Sequence, residues 1–235
     1  MSHSFIFVRM IQVVKARAIF FGVLVFAVVL LMAGMLLPGE NPSPVADMPW
    51  QIEHNANGIR VFGLTLGHST LDEAQNKFHE SAKISLFVSD AGKLAVEAYF
   101  DRISLSGLSA KVVLTAALSQ VELQGMYERG LRTSALGSGR KVELRPDDKD
   151  KVLRAEIAGI TYLPSSSLDE ALIAQRFGTP SRRVREVKND VLHLLYPQSG
   201  LDIMLSRKNK AVLQYFPPQD FETLMAPILA LPATD

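Results

Sequence analysis

The sequence predicts an α+β protein in which an N-terminal transmembrane helix is followed by two similar units, each built from a helix packed on antiparallel strands. Three observations predict this arrangement. Residues 18–37 form an uncharged apolar run, residues 38–49 are rich in proline, and the order of elements in residues 50–118 recurs in residues 151–235. Without its N-terminal part, the 235-residue chain has room for one ordinary domain or two small ones.

The apolar run at residues 18–37 has the length of a membrane span. At about 1.5 Å of rise per residue, such a helix covers the roughly 30 Å hydrocarbon core of a bilayer. Cations precede the run and acids follow it, which places residues 1–17 in the cytoplasm, because cytoplasmic flanks carry the excess of lysine and arginine. These charges are Arg9, Lys15 and Arg17 before the run and Glu40, Asp47 and Glu53 after it.

A cleaved signal peptide is the alternative interpretation of this segment. The run is longer than the usual apolar region of a signal peptide, and no good A-x-A cleavage site follows it. The chain has no cysteine, which excludes disulfides and a lipobox cysteine. We therefore expect an uncleaved anchor in a bacterial inner membrane, with the C-terminal part in the periplasm. The near balance of 25 basic and 24 acidic residues offers no electrostatic case for nucleic acid.

Residues 38–49 predict an extended linker. The segment contains four prolines and few apolar groups, a composition typical of the polyproline II conformation. Trp50 follows immediately, and we expect its ring to pack at the start of the folded part rather than to lie at the lipid headgroups.

Residues 50–118 form the first predicted unit. Its helix opens at Ser69 and Thr70 with acids in the first turn, where they complement the helix dipole, and it ends near Phe78. One strand precedes the helix and three follow it, with Gly92 placed in a hairpin loop between the first two of these. The four strands cover residues 59–66, 82–88, 93–100 and 110–118.

Residues 119–150 connect the two units. Ser119 and Glu122 have the spacing of a capping box, and the residues after them predict a helix through about Ala135. A glycine-containing turn, an extra strand and a solvated loop are expected after this helix. They cover residues 137–139, 140–145 and 146–150.

Residues 151–235 repeat the order of the first unit. The helix of this second unit begins near Ser166 and Ser167 and ends at Phe177, and a further short helix from Asp220 to about residue 229 closes the chain. Self-similarity at a long spacing indicates a duplicated structural unit. The matched stretches are 63–65 with 159–161 and 69–74 with 166–171, and the predicted strands are 182–188, 191–196, 201–205 and 211–216.

The second unit resembles the BamE/SmpA-like modules of bacterial envelope proteins. The resemblance rests on a glycine-containing strand, a capped helix ending in Arg176-Phe177-Gly178-Thr179-Pro180, and a three-stranded meander. It implies a role in binding other envelope proteins. That family is typically lipid-anchored through a cysteine, which this chain lacks, and the first copy has Phe78-His79 without the glycine and proline. The resemblance therefore supplies no site residues.

Catalytic and metal-binding patterns are weak in this sequence. His68 and His79 bracket the first helix three turns apart, but this is not a recognised metal signature. Acids recur at Asp72-Glu73 and Asp169-Glu170, where the helix dipole explains them. We therefore expect no catalytic residue, no cofactor, no metal and no enzymatic activity.

Two basic clusters in the second unit are the candidate interaction surface. They could meet an acidic partner or anionic lipid, or they could guard an exposed sheet edge against aggregation. The clusters are Arg182, Arg183 and Arg185, and Arg207, Lys208 and Lys210.

These observations predict a non-enzymatic, single-pass inner-membrane protein whose periplasmic domain binds another envelope protein or complex. Two alternatives stay open. The first is a ligand-sensing or hydrolytic domain with its site between the two units. The second is a helix that serves as a packing subunit of a larger membrane complex, through the small residues Ala27, Ala33 and Gly34.

Overall fold

The computed structural model describes residues 48–206 and 210–234, which form thirteen strands, five short α-helices and two single-turn 3-10 helices. All described residues belong to one compact unit. The strands are β1 Glu53–Asn55, β2 Gly58–Val61, β3 Leu64–Thr65, β4 Lys83–Val88, β5 Leu94–Leu105, β6 Leu108–Ala116, β7 Arg132–Leu136, β8 Gly139–Glu143, β9 Ile157–Pro164, β10 Arg182–Glu186, β11 Val191–Tyr196, β12 Leu201–Ser206 and β13 Val212–Tyr215. The helices are α1 Leu71–Phe78, α2 Gln120–Glu128, α3 Pro146–Leu153, α4 Glu170–Phe177 and α5 Phe221–Leu229.

Ten of the strands form one antiparallel sheet. Their order across the sheet is β10, β11, β12, β13, β9, β6, β5, β4, β8 and β7, and β1, β2 and β3 form a separate small sheet. The two edge strands of the large sheet are therefore β10, from the second half of the chain, and β7, from the connecting segment.

The predicted division into two units, each with its own helix and strands, is wrong. Strand β6 of the first half pairs with β9 of the second half, in a register that runs from Ala110 opposite Pro164 to Ala116 opposite Ile157. Each half would otherwise leave a long unpaired edge, and joining the edges satisfies those backbone groups. The halves are also not equivalent, because the segment that opens the first half forms β2 and β3 in the small sheet. The predicted α+β class is therefore also wrong, since the described architecture is mostly β, with ten strands in one antiparallel sheet and only short helices.

The N-terminal predictions concern residues that the structure does not describe. The cytoplasmic tail at 1–17, the transmembrane helix at 18–37 and the linker up to residue 47 lie outside the described residues. Within residues 48–206 and 210–234, every helix is too short or too polar to cross a bilayer.

Two predictions in the connecting segment are wrong. The helix expected to reach Ala135 ends at Glu128, and the residues after it form β7. Gly130 permits this change of direction, because a Cβ atom there would lie only 2.3 Å from Cγ1 of Val142 on β8. The expected solvated loop at 146–150 is the start of helix α3.

Helix α3 is favoured both by the residues of its first turn and by a contact with α2. Pro146 occupies the first turn, where its missing N–H costs nothing, and acids follow it. The Asp148 side chain is 2% exposed and accepts hydrogen bonds from Nε and Nη2 of Arg129, at 2.9 and 2.6 Å. This bidentate pair ties α3 to the end of α2.

Several local predictions are confirmed. The predicted N-cap hydroxyl of α1 is that of Thr70, which also forms a capping box with Glu73, and the predicted capping box of α2 forms between Ser119 and Glu122. Trp50 packs at the start of the described part, edge-on to Phe177 of α4. The other predicted strands are present with shifts of a few residues at their ends, but the predicted strand 59–66 is divided into β2 and β3. The helix expected to begin near Ser166 and Ser167 begins instead after Asp169, whose side chain accepts a hydrogen bond from the amide of Leu172.

The two faces of the large sheet differ. The covered face carries the main hydrophobic core, to which the small sheet and helices α1, α2, α3 and α4 contribute buried side chains. Helix α5 packs on the opposite face at the β10 end, where Phe221 and Met225 join Val184 and Leu195. The adjacent residues Leu194 and Leu195 belong to different clusters, as the two-residue period of a strand requires. We call this second face, beyond α5, the open face.

Candidate functional site: an uncovered sheet edge and a basic groove

The C-terminal segment covers the β10 edge of the large sheet. The amide of Thr234 donates to the carbonyl oxygen of Arg183 at 2.8 Å, and Ala233 forms a bridge with Val184. This segment occupies part of the backbone that an incoming strand would need. The β10 edge is therefore partly capped by the chain itself.

The β7 edge is open over its whole length. All five residues of β7 are exposed, and among the described residues only β8 pairs with this strand. In an antiparallel ladder, every second residue points its N–H and C=O away from its partner, so β7 presents unpaired backbone groups to solvent. Two large apolar side chains flank the edge, Leu131 at 59% and Leu136 at 47% exposure.

A groove of about 510 Å³ lies beside this edge. The register places Ser134 opposite Lys141 and Arg132 opposite Glu143, so these side chains share the open face of the sheet. The β4–β8 ladder ends at Leu86 opposite Val142, and the groove-lining residues of β4 precede that point. Its lining residues are Ala82, Lys83, Ile84, Ser85, Arg132, Ser134, Lys141, Glu143 and Lys149.

The groove is strongly cationic. It is lined by four cationic side chains and one carboxylate, that of Glu143. Within the described part of the chain, no ion pair involves Arg132, Lys141 or Lys149. The Lys83 ammonium lies 5.9 Å from the ring centroid of Tyr99. A concave surface lined by one sign of charge concentrates the opposite charge. The groove and the β7 edge together form what we call the docking surface, Arg132–Leu136 with the groove-lining side chains.

Three of the predicted basic residues lie on the capped β10 edge and make internal contacts. Arg182 donates to the carbonyl oxygen of Leu231 at 2.7 Å, Arg183 pairs with Glu170, and Arg185 donates to Asp190 at 3.1 Å. Lys210 is exposed and donates to the carbonyl oxygen of Ser165. Arg207 and Lys208 lie outside the described residues. An interaction surface at these six positions stays a prediction.

The histidines considered as ligands, His68 and His79, do not line the groove. His79 caps the C-terminus of α1 in a left-handed conformation, with φ of 52°. His68 shares a surface depression with His54 near the small sheet. Across the described residues, histidines and acids form no group of three that could hold a metal ion.

A buried histidine–aspartate pair lies elsewhere on the sheet. His193 of β11 and Asp202 of β12 are 4% and 0% exposed, and Nδ1 of the histidine lies 2.9 Å from Oδ2 of the aspartate. Neither Nε2 of His193 nor Oδ1 of Asp202 has a hydrogen-bond partner among the described residues. Both belong to the face that α5 covers, because His193 lies opposite Val184 and Asp202 opposite Leu195.

Ionisation of Asp202 makes the stability of the protein depend on pH. Burial raises the pKa of its carboxyl above the ordinary 3.8, and the hydrogen bond from His193 offsets part of the rise. As pH rises from near 3.8, the unfolded chain releases this proton before the folded chain does, so the Asp202 contribution to the free energy of unfolding falls until the folded pKa is passed. The variant Asp202→Asn lacks this contribution.

The check compares urea unfolding of the wild type and Asp202→Asn across this pH range. We expect the wild type to lose stability relative to the variant as pH rises, because Asn resembles the protonated carboxyl. A difference that is constant with pH, or that grows in favour of the wild type, would contradict the assignment.

The β7 edge was missed by sequence reasoning because residues 120–135 carry a partial helical stripe. One signal could have found it: Gly137 and Ser138 lie between two short stretches of strand-compatible residues, as in a hairpin with a short loop. The basic groove has no sequence signal, since its cations come from β4, β7, β8 and α3.

Comparison of this chain with protein-family models, with curated proteins and with solved structures finds no match. The resemblance to the BamE/SmpA-like modules therefore stays a prediction. The alternative prediction of a ligand site between the two halves also stays a prediction, and the junction of the halves is the β6–β9 ladder.

Proposed function

We propose that this protein is a non-enzymatic binding protein that accepts an extended segment of another envelope protein beside β7. The single observation that carries the proposal is the contrast between the two edges of the ten-stranded sheet. The β10 edge is partly capped by the C-terminal segment, whereas the β7 edge has all five residues exposed and no outer partner among the described residues.

Addition of a strand would pair the unpaired backbone N–H and C=O groups of β7. An extended segment that joins an exposed edge gains backbone hydrogen bonds along its length, and side-chain contacts on alternate residues supply specificity. The exposed Leu131 and Leu136 offer apolar contact at the two ends of the strand. The hairpin of β7 and β8 stays in place, because its own ladder uses the opposite side of β7.

The proposed location of this binding is the periplasmic side of a bacterial inner membrane. It is supported by the apolar run at residues 18–37 and by the cations that precede it. An anchored domain meets its partner at the membrane surface, so that an envelope protein or membrane complex is the partner class.

The test is site-specific cross-linking of the full-length protein in its native membrane. A photo-reactive residue replaces Thr133 in the middle of β7, and a matched variant carries it at Val187, which is 84% exposed and follows the capped edge strand β10. We expect Thr133 to cross-link to a defined partner through one extended segment of that partner, identified by mass spectrometry. Val187 should not yield this product.

Two results would contradict the proposal. The same products from both positions would show unspecific capture. The absence of any product at Thr133, with the protein correctly folded and inserted, would show that β7 is not an interface.

A further inference from the structure

We infer that the segment bound beside β7 is acidic on the face that lies over the basic groove. This inference rests on the proposed function and specifies the chemistry of the partner. The occupant is an extended protein segment with Asp or Glu at alternate positions.

The geometry of strand addition sets which partner residues meet the groove. A strand added to β7 lies about 4.8 Å beyond it, and its side chains alternate between the two faces of the sheet. The alternate residues on the open face come beside Arg132 and Ser134, and Lys141 lies one strand further in. Opposite charges on neighbouring strands attract, and like charges repel. Acids at every second position would therefore face the cations of the groove.

The charge balance of the groove favours this occupant. Its one lining carboxylate, Glu143, lies opposite Arg132 in the register, whereas Lys83, Lys141 and Lys149 come from three different elements. The field of the groove is thus a product of the tertiary structure rather than of a local run of cations. An acidic extended segment would neutralise the positive charge of the groove. Its backbone would also form hydrogen bonds with the unpaired N–H and C=O groups of β7.

The same charges disfavour the other occupants. A second copy of this chain, joined β7 to β7, would bring two cationic grooves side by side. An anionic lipid surface would match the charge, but headgroups leave the unpaired N–H and C=O groups of β7 unused. The acidic strand is the occupant that matches both features.

The test uses two eight-residue peptides on the full-length protein in mild detergent. One peptide alternates threonine with glutamate, and the other alternates threonine with lysine. Affinity is measured by calorimetry at low and high salt, and amide hydrogen exchange reports whether β7 becomes protected. We expect the glutamate peptide to bind at least about tenfold more tightly at low salt, with protection of β7, and to weaken as salt rises, because exposed charges are screened.

Charge reversal supplies the matched variants. Arg132→Glu/Lys141→Glu should reverse the preference in favour of the lysine peptide. The control Arg154→Glu/Lys188→Glu makes the same change of net charge at exposed positions that do not line the groove, and it should keep the wild-type preference.

Each remaining outcome overturns the inference. Equal affinity for both peptides with β7 protected would refute the acidic partner and leave strand addition standing. Binding of neither peptide would also refute it, and cross-linking at Thr133 would then decide the proposed function separately. Phosphatidylglycerol vesicles that bind the wild type, but not Arg132→Glu/Lys141→Glu, while the glutamate peptide does not bind, would assign the groove to a membrane surface. Dimers that dissociate on the same double substitution would assign it to a second copy.

Discussion

Replacement of His193 by leucine is expected to lower the free energy of unfolding by about 3–5 kcal/mol, because it leaves the carboxylate of Asp202 buried without its partner. Asp202 is 0% exposed, and its Oδ1 already lacks a hydrogen bond among the described residues. The measurement is urea unfolding of the full-length protein, followed by the fluorescence of its single tryptophan, Trp50.

The double variant His193→Leu/Asp202→Val tests whether the loss comes from the unpaired carboxylate. Replacing a whole buried pair by packed apolar residues is commonly neutral or stabilising by about 1–4 kcal/mol, since the desolvation of both groups is removed. We therefore expect the double variant to recover at least the wild-type stability. The two substitutions should be strongly non-additive, as expected for groups in direct contact.

A double variant as unstable as His193→Leu would contradict this account. It would mean that the shape of the two side chains under α5, rather than their pairing, holds this end of the sheet together. The pair would then be a packing feature and not a buried polar contact that costs stability.

The second large effect is expected at Gly200, which precedes β12. Its φ is +58°, and a Cβ atom there would lie 1.9 Å from the carbonyl oxygen of Phe216. The left-handed conformation costs a side-chain-bearing residue about 1–2 kcal/mol, and overpacking typically adds about 1–3 kcal/mol. Gly200→Ala should therefore lower the free energy of unfolding by about 2–5 kcal/mol.

Gly107 offers the matched control. Its φ is +81°, and a Cβ atom there would meet nothing within 4 Å. Gly107→Ala should show only the conformational cost, about 1–2 kcal/mol. Equal losses in the two variants would show that the backbone at Gly200 relaxes away from Phe216 and that the close approach carries no energetic weight.

Much of the local structure could be predicted because neighbouring residues decide it. The capping boxes at Thr70 and Ser119 are formed by residues three positions apart, and both are present. The hairpin loop with Gly92 is also present, with φ of +76° at that glycine. In each case, the residues that interact are only three or four positions apart in the sequence.

The candidate site could not be predicted in the same way. The docking surface exists because Arg132–Leu136 form an edge strand instead of continuing a helix, and this depends on the close approach that Gly130 permits to Val142. The pairing of His193 with Asp202 depends on the register of β11 and β12. A strand register cannot be derived from composition alone, since a shift of one residue moves every side chain to the other face.

The sequence by itself determined the starts of α1 and α2, most of the strands, and the apolar N-terminal run, because periodicity, turn residues and charge act over a few positions. The tertiary structure alone decided that both halves join through β6 and β9, that the C-terminal segment caps β10, and that β7 stays open. Those outcomes depend on which distant edges satisfy one another's backbone hydrogen bonds, and this selection is made only when the whole sheet assembles.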